Sequence, residues 1–140
     1  MTSASTWIML AGMCQFGILI ASAAAPQLLD WKHSLAPLKR LNRQLIWTHG
    51  AYIAGSIAAF GLLSVVAPQL LTDGSPLARI VCGFIAVFWG VRLLLQWFVF
   101  DPAEHVTTFW LAAGYHTLTV VFLFVTCAYA FAAINCFRLF

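Results

Sequence analysis

The stretch that decides the fold is Asp30–His49, DWKHSLAPLKRLNRQLIWTH, which separates two long apolar runs. It holds four of the seven Lys and Arg residues of the chain: Lys32, Lys39, Arg40 and Arg43. Lys and Arg gathered between two membrane-crossing segments are typical of a cytoplasmic connection. We call residues 30–43 the basic turn, and it predicts how the chain lies in a membrane.

The composition outside the basic turn is that of a protein dissolved in lipid. Of 140 residues, 63% are hydrophobic and 8% charged, with a mean hydropathy of +0.94. Soluble domains carry about 25% charged residues, and a water-soluble fold of this size could not bury so much apolar surface. The net charge of +3 does not indicate nucleic-acid binding, because the basic residues gather at one turn instead of along a face.

Four segments are long enough to cross a hydrocarbon core of about 30 Å, which takes roughly 20 helical residues. They lie near 6–25, 44–66, 78–99 and 107–135, with Pro26 and Pro68 following the first two. Short connections favour antiparallel neighbours. The sequence therefore predicts an all-α, single-domain (1–140), integral membrane four-helix bundle with up-down topology.

The orientation follows from the distribution of basic residues. With the basic turn inside, the first and third connections face the cytoplasm and both termini lie outside. Leu38, Leu41 and Leu45 repeat at a helical spacing, which predicts a short amphipathic interfacial segment between the first two spans. We expect this segment to anchor the orientation and touch anionic lipid; a docking surface for a partner is the alternative. The small size and short connections favour a bacterial inner membrane.

Small residues predict where the helices approach one another. Ala51, Gly55 and Ala59 form a small-xxx-small ladder on the second span, and Ala11 and Gly12 lie together on the first. Such faces let helix backbones come close in lipid. We expect both faces to lie at helix contacts.

Polar residues within membrane spans usually face the bundle interior. By helical arithmetic they gather in the cytoplasmic half. We expect all four spans to contribute to one polar cluster there: Gln15, His49, Tyr52, Ser56, Arg92, Gln96, Tyr115 and His116.

One interpretation of this cluster is a b-type haem. The second and fourth spans would sit diagonally in an up-down bundle, with His49 and His116 facing each other as bis-histidine ligands. Gly50 and Gly114 would leave room for the macrocycle, and Arg92 would pair a propionate.

A second interpretation is a pocket for a small amphipathic molecule such as a quinone, lipid or isoprenoid, with Arg92, Gln96, Tyr115 and His116 around its polar head. No carboxylate lies deep in the membrane, which counts against acid-base catalysis. No metal site is expected, since the cysteines form no CxxC pair.

The leading hypothesis is structural. The buried histidines would bond between helices, and the protein would be a non-enzymatic subunit or scaffold that packs against other membrane subunits or against itself. The absence of any soluble domain from this sequence favours that role.

Overall fold

The computed structural model describes residues 3–28, 30–99 and 109–135, without the side chains of residues 110 and 111. These residues form α1 (Ser3–Leu28), α2 (Trp31–Ser34), α3 (Arg40–Val66), α4 (Pro76–Phe98) and α5 (Phe109–Asn135). The described chain is 87% helical and contains no strand. Within it, α1, α3, α4 and α5 are long and apolar enough to cross a membrane.

The predicted spans correspond to these four long helices. The first three helices extend a few residues past the predicted N-terminal ends, and α1 also continues through Pro26 to Leu28. Residues 107 and 108, where the fourth span was predicted to begin, lie outside the described residues. The all-helical, four-helix fold class is confirmed.

A close backbone contact joins α1 to α3. A Cβ atom added at Gly12 would lie 2.8 Å from Ser64 Cβ and 3.1 Å from the carbonyl oxygen of Gly61. A Cβ atom added at Gly61 would in turn lie 3.3 Å from the carbonyl oxygen of Gly12. The two glycines are therefore the positions that let the helix backbones touch.

This contact confirms the expectation for Gly12 and corrects the one for α3. Ala51, Gly55 and Ala59 are exposed, and a Cβ atom added at Gly55 would meet no atom within 4 Å. The reason is helical phase, since Gly55 lies two residues before buried Ile57 and so about 200° round the helix. The ladder faces away from α1, and Ile57, Gly61 and Ser64 form the packed face.

Helices α4 and α5 form the other extensive pair. The Trp89 ring stacks on Phe122 with centroids 5.2 Å apart, and a Cβ atom on Gly90 would lie 3.7 Å from Thr126. Helix α5 also packs against α1, where Trp7 meets Phe124.

Helices α3 and α4 touch through aromatic rings. The centroid of the Phe60 ring lies 6.0 Å from that of Phe84 and 5.4 Å from that of Phe88. The more extensive contacts thus follow the order α3, α1, α5, α4. In the N-terminal part of α3, from Arg40 up to Ile57, no residue is buried.

The turn between α3 and α4 is closed by local hydrogen bonds. The main-chain N–H of Ser75 donates to Asp73 Oδ1 at 2.8 Å, and Ser75 Oγ accepts from the N–H of Ala78 at 3.1 Å, capping α4 just before Pro76. The hydrogen bonds from the main chain and side chain of Ser75 hold the pKa of Asp73 below its usual value.

The basic turn also follows from local contacts. Asp30 adopts a left-handed conformation (φ 46°), and its carboxylate lies 2.8 Å from Nδ1 of His33. The interfacial segment predicted around Leu38–Leu45 is continuous with the second span, since α3 begins at Arg40. The separate short helix here is α2.

Candidate functional site

A buried polar cluster joins three helices of the bundle. Gln15 Nε2 of α1 donates to the hydroxyl of Tyr129 of α5 at 2.6 Å, and that hydroxyl lies 2.5 Å from Ser64 Oγ of α3. Ser64 Oγ also donates to the carbonyl oxygen of Phe60 at 2.8 Å. All three polar side chains are fully buried. We call Gln15, Ser64 and Tyr129 the buried triad.

The close helix contact explains how the buried triad forms. Gly12 leaves room for Ser64 against α1, one helical turn from Gln15, and this brings the serine hydroxyl within reach of Tyr129. Bonds to uncharged groups satisfy both hydroxyls, whereas Gln15 Oε1 accepts no hydrogen bond from the described residues. These hydrogen bonds join uncharged side chains of three helices, an arrangement that suits the fastening of helices to one another.

A second polar group lies along the seam between α4 and α5. Gln96 Nε2 donates to Thr119 Oγ1 at 2.5 Å, and the Tyr115 hydroxyl donates to the main-chain oxygen of Gln96 at 3.1 Å. The half-buried Arg92 guanidinium lies 5.2 Å from the centroid of the Phe122 ring, within cation–π range. We call Arg92, Gln96, Tyr115 and Thr119 the arginine seam.

The structure divides the single polar cluster that the sequence predicts. Gln15 joins the buried triad, whereas Arg92, Gln96 and Tyr115 come together in the arginine seam. Tyr52 belongs to neither group and is 76% exposed. The expectation that all four spans share one polar interior is therefore wrong.

The two histidines are also exposed, contrary to their predicted burial. His49 Nδ1 lies 2.8 Å from the carbonyl oxygen of Leu45, four residues back in the same helix. The physical reason is that α3 packs through Ile57, Gly61 and Ser64, and no α3 residue before Ile57 is buried.

Both histidines also lie far from the buried triad. His49 precedes Ser64 by fifteen residues, about 22 Å along α3, and His116 precedes Tyr129 by thirteen residues, about 20 Å along α5. Neither histidine therefore takes part in the buried triad.

The exposed half of α3 carries an open groove of about 880 Å³. All of its lining residues belong to α3: the small-residue ladder Ala51, Gly55 and Ala59, together with Trp47, Thr48, Tyr52 and Ser56. We call this surface the α3 groove. The hydroxyls of Thr48 and Ser56 donate to carbonyl oxygens of their own helix.

Sequence reasoning missed three residues that these groups depend on: Ser64, Thr119 and Tyr129. Ser64 follows Ile57 and Gly61 at helical spacing, a phase that points to the packed face of α3. Nothing in the sequence pairs Tyr129 with Gln15, because a partner 114 residues away is decided by how the helices pack.

The four candidate spans within the described residues make this chain a small integral membrane protein. No protein-family model, no curated protein and no solved structure matches it.

Proposed function

We propose that this protein is a non-enzymatic subunit of a membrane assembly, and that the α3 groove is the surface on which the neighbouring subunit packs. The observation that carries the proposal is that small and polar residues lie on the outside of α3. Ala51, Gly55 and Tyr52 are all exposed, on the side of the helix opposite the α1 contact.

The physics of lipid explains why such a face favours a partner. Apolar side chains gain little by moving from lipid to a helix interface, so association depends on close packing and on hydrogen bonds between helices. The ladder supplies a shallow surface for a second helix. Tyr52 adds a hydroxyl that bonds to nothing among the described residues, and polar groups at membrane depth favour a protein neighbour over lipid.

We take a second copy of this chain as the neighbour. The groove is lined both by the small residues of the ladder and by the wide side chains of Trp47 and Tyr52. Two such faces can cross on a two-fold axis, so that each copy places its own wide side chains beside the other's ladder. Two-fold dimers are also the commonest closed assemblies of identical chains.

The test compares two glycines in lipid vesicles. Gly55 lies in the α3 groove and Gly17 on the exposed side of α1, and a Cβ atom at either would meet nothing within 4 Å. Gly55→Leu should fill the groove and weaken self-association about tenfold or more, as for the loss of one good packing contact of about 1.4 kcal/mol. Gly17→Leu should leave it unchanged.

Self-association is measured by energy transfer between labelled copies as the lipid-to-protein ratio is varied. A wild-type chain that stays monomeric at every ratio overturns the proposed dimer. An equal loss in both variants also overturns it, because association would then not depend on the α3 groove.

The arginine seam favours a second function, the binding of a small anionic amphiphile. Arg92 places a guanidinium beside the Phe122 ring, and Tyr115 and Gln96 supply polar atoms next to it. A fluorescent fatty acid should bind more tightly than its methyl ester, and Arg92→Gln should remove the difference. Equal binding of acid and ester to the wild-type chain would count against this function.

Haem ligation by His49 and His116 stays a prediction. Its check is the absorption spectrum of the purified protein, oxidised and then reduced. Sharp absorption bands of a reduced haem, lost in either His→Ala variant, would support the prediction.

A further inference from the structure

A second concave surface lies where α1, α2 and α3 meet at the basic turn. It is a groove of about 400 Å³ whose lining includes Trp31, Lys32, Leu35, Arg43 and Trp47. We call it the basic groove. It lies at the opposite end of α3 from the buried triad, and none of these lining side chains is fully buried.

The two tryptophans hold the groove together. The Trp31 ring of α2 meets the Trp47 ring of α3 edge to face, with centroids 5.4 Å apart. This contact packs the short α2 against α3. Trp31 is next to Lys32 in the sequence, and Trp47 follows Arg43 by four residues. Two cations on different helices thus line the same concave surface.

Neither cation of this surface is paired with a carboxylate of the described chain. Asp30 and Asp73 are the carboxylates among the described residues. Asp30 is engaged by His33, and Asp73 lies in the turn after α3, where it accepts from Ser75. Lys32 and Arg43 therefore make no ion pair within the described residues.

The surroundings indicate where the counter-charge comes from. Leu28, Leu41 and Leu45 are exposed near the groove, at the ends of two membrane-crossing helices. Tryptophan is enriched at the level of lipid headgroups, and Lys or Arg beside a span attracts anionic lipid. A phosphate that accepts from two cations at once forms charge-assisted hydrogen bonds, which are stronger than neutral ones.

We propose that the basic groove is a binding site for the headgroup of an anionic phospholipid. Lys32 and Arg43 bind the phosphate, and the Trp31–Trp47 pair supports the glycerol and the first part of the acyl chains. This site is separate from the α3 groove except for Trp47, which lines both. It does not depend on the proposed dimer.

The chain offers a matched control, because Lys39 and Arg40 belong to the same basic turn but do not line the groove. The double variants Lys32→Ala/Arg43→Ala and Lys39→Ala/Arg40→Ala remove the same charge. A diffuse attraction to an anionic surface would fall equally in both. A site in the basic groove would be lost in the first variant only.

Binding is measured by native mass spectrometry of the full-length protein in detergent, titrated with phosphatidylglycerol or with phosphatidylcholine of the same chains. Lys32→Ala/Arg43→Ala should weaken phosphatidylglycerol binding about thirtyfold, since each basic residue near a lipid surface contributes about 1 kcal/mol. The Lys39→Ala/Arg40→Ala variant should lose less than threefold. Lys32→Arg keeps the charge and should retain binding.

Two further arms separate the sources of phosphate. Inorganic phosphate at millimolar concentration should not displace the lipid, and phosphatidylcholine should bind weakly to every variant. Equal losses in the two double variants, displacement by inorganic phosphate, or equal binding of both lipids would each overturn the proposal. Far-UV circular dichroism of each variant verifies that its helices remain formed.

Discussion

Replacing Gly12 by alanine tests whether the close contact of α1 and α3 holds the bundle together. The added Cβ atom would lie 2.8 Å from Ser64 Cβ, whereas ordinary contact begins near 3.4 Å. The distance between these two atoms must therefore increase by about 0.6 Å. Neither Ser64 Cβ nor the carbonyl oxygen of Gly61, 3.1 Å away, can rotate aside, since both are held by the α3 backbone. The two helices must therefore separate.

The cost follows from packing and from the buried triad. Overpacking a tight contact by one methyl group costs about 1–3 kcal/mol. Separation also carries Ser64 away from α1 and disturbs its 2.5 Å hydrogen bond with Tyr129, which is worth about 1 kcal/mol. We expect Gly12→Ala to lower the free energy of unfolding by about 2–4 kcal/mol relative to a glycine-to-alanine change in open space.

Gly17→Ala is that reference, because it lies on the same helix and its Cβ atom would meet nothing within 4 Å. Effects of alanine on helix propensity and on the unfolded chain are common to both variants. The full-length protein is unfolded by sodium dodecyl sulfate in mixed micelles, and the transition is followed by tryptophan fluorescence.

Gly12→Ala should unfold at a clearly lower detergent fraction than Gly17→Ala. Ser64→Gly removes the nearest obstructing atom, so Gly12→Ala should cost less in the Ser64→Gly background than in the wild-type chain. If both single variants unfold at the same midpoint, the reasoning about this contact is refuted.

Three further predictions concern single polar groups. Tyr129→Phe should destabilise the protein by about 1–3 kcal/mol, because it leaves buried Gln15 without its partner, and the same titration should find Tyr52→Phe unchanged; equal effects would contradict the role of the triad. Ser75→Ala removes the N-cap of α4 and should cost about 1 kcal/mol, whereas Ser75→Asp, another good N-cap, should lose little; equal losses would argue against capping. The hydrogen bonds from Ser75 lower the pKa of Asp73, so their contribution to stability is present above the ordinary value of 3.8 and disappears as the pH falls through the lowered folded pKa. The stability difference between wild type and Asp73→Asn should therefore shrink below about pH 4 in an acid titration, and a constant difference would contradict this.

The groups at the candidate sites show how far sequence reasoning reaches in a membrane bundle. Arg92, Gln96 and Tyr115 lie close together in the structure, and the sequence offers a reason, since residues four apart share a helix face and the next span is close along the chain. Sequence reasoning misplaced His49 and Tyr52, because it assumed that the cytoplasmic half of every span faces an interior.

The sequence by itself determined the class of protein, the four membrane-length helices and the position of the basic turn. The physical basis of all three is solvation. Each crossing of the lipid requires about 20 apolar residues, and most charged residues are confined to the ends of the spans. These constraints act on each segment separately, so they can be read along the chain without knowing the neighbours.

Only the tertiary structure decided which side of each helix is packed. Lipid-facing and core-facing side chains are equally apolar, so hydropathy does not distinguish Ala51, Gly55 and Ala59 on the outside of α3 from Ile57 and Gly61 on its packed face. That choice depends on atomic fit between segments distant in sequence, as at the contact of α1 with α3. The same fit decided that Gln15 meets Tyr129 and left the α3 groove open on the surface.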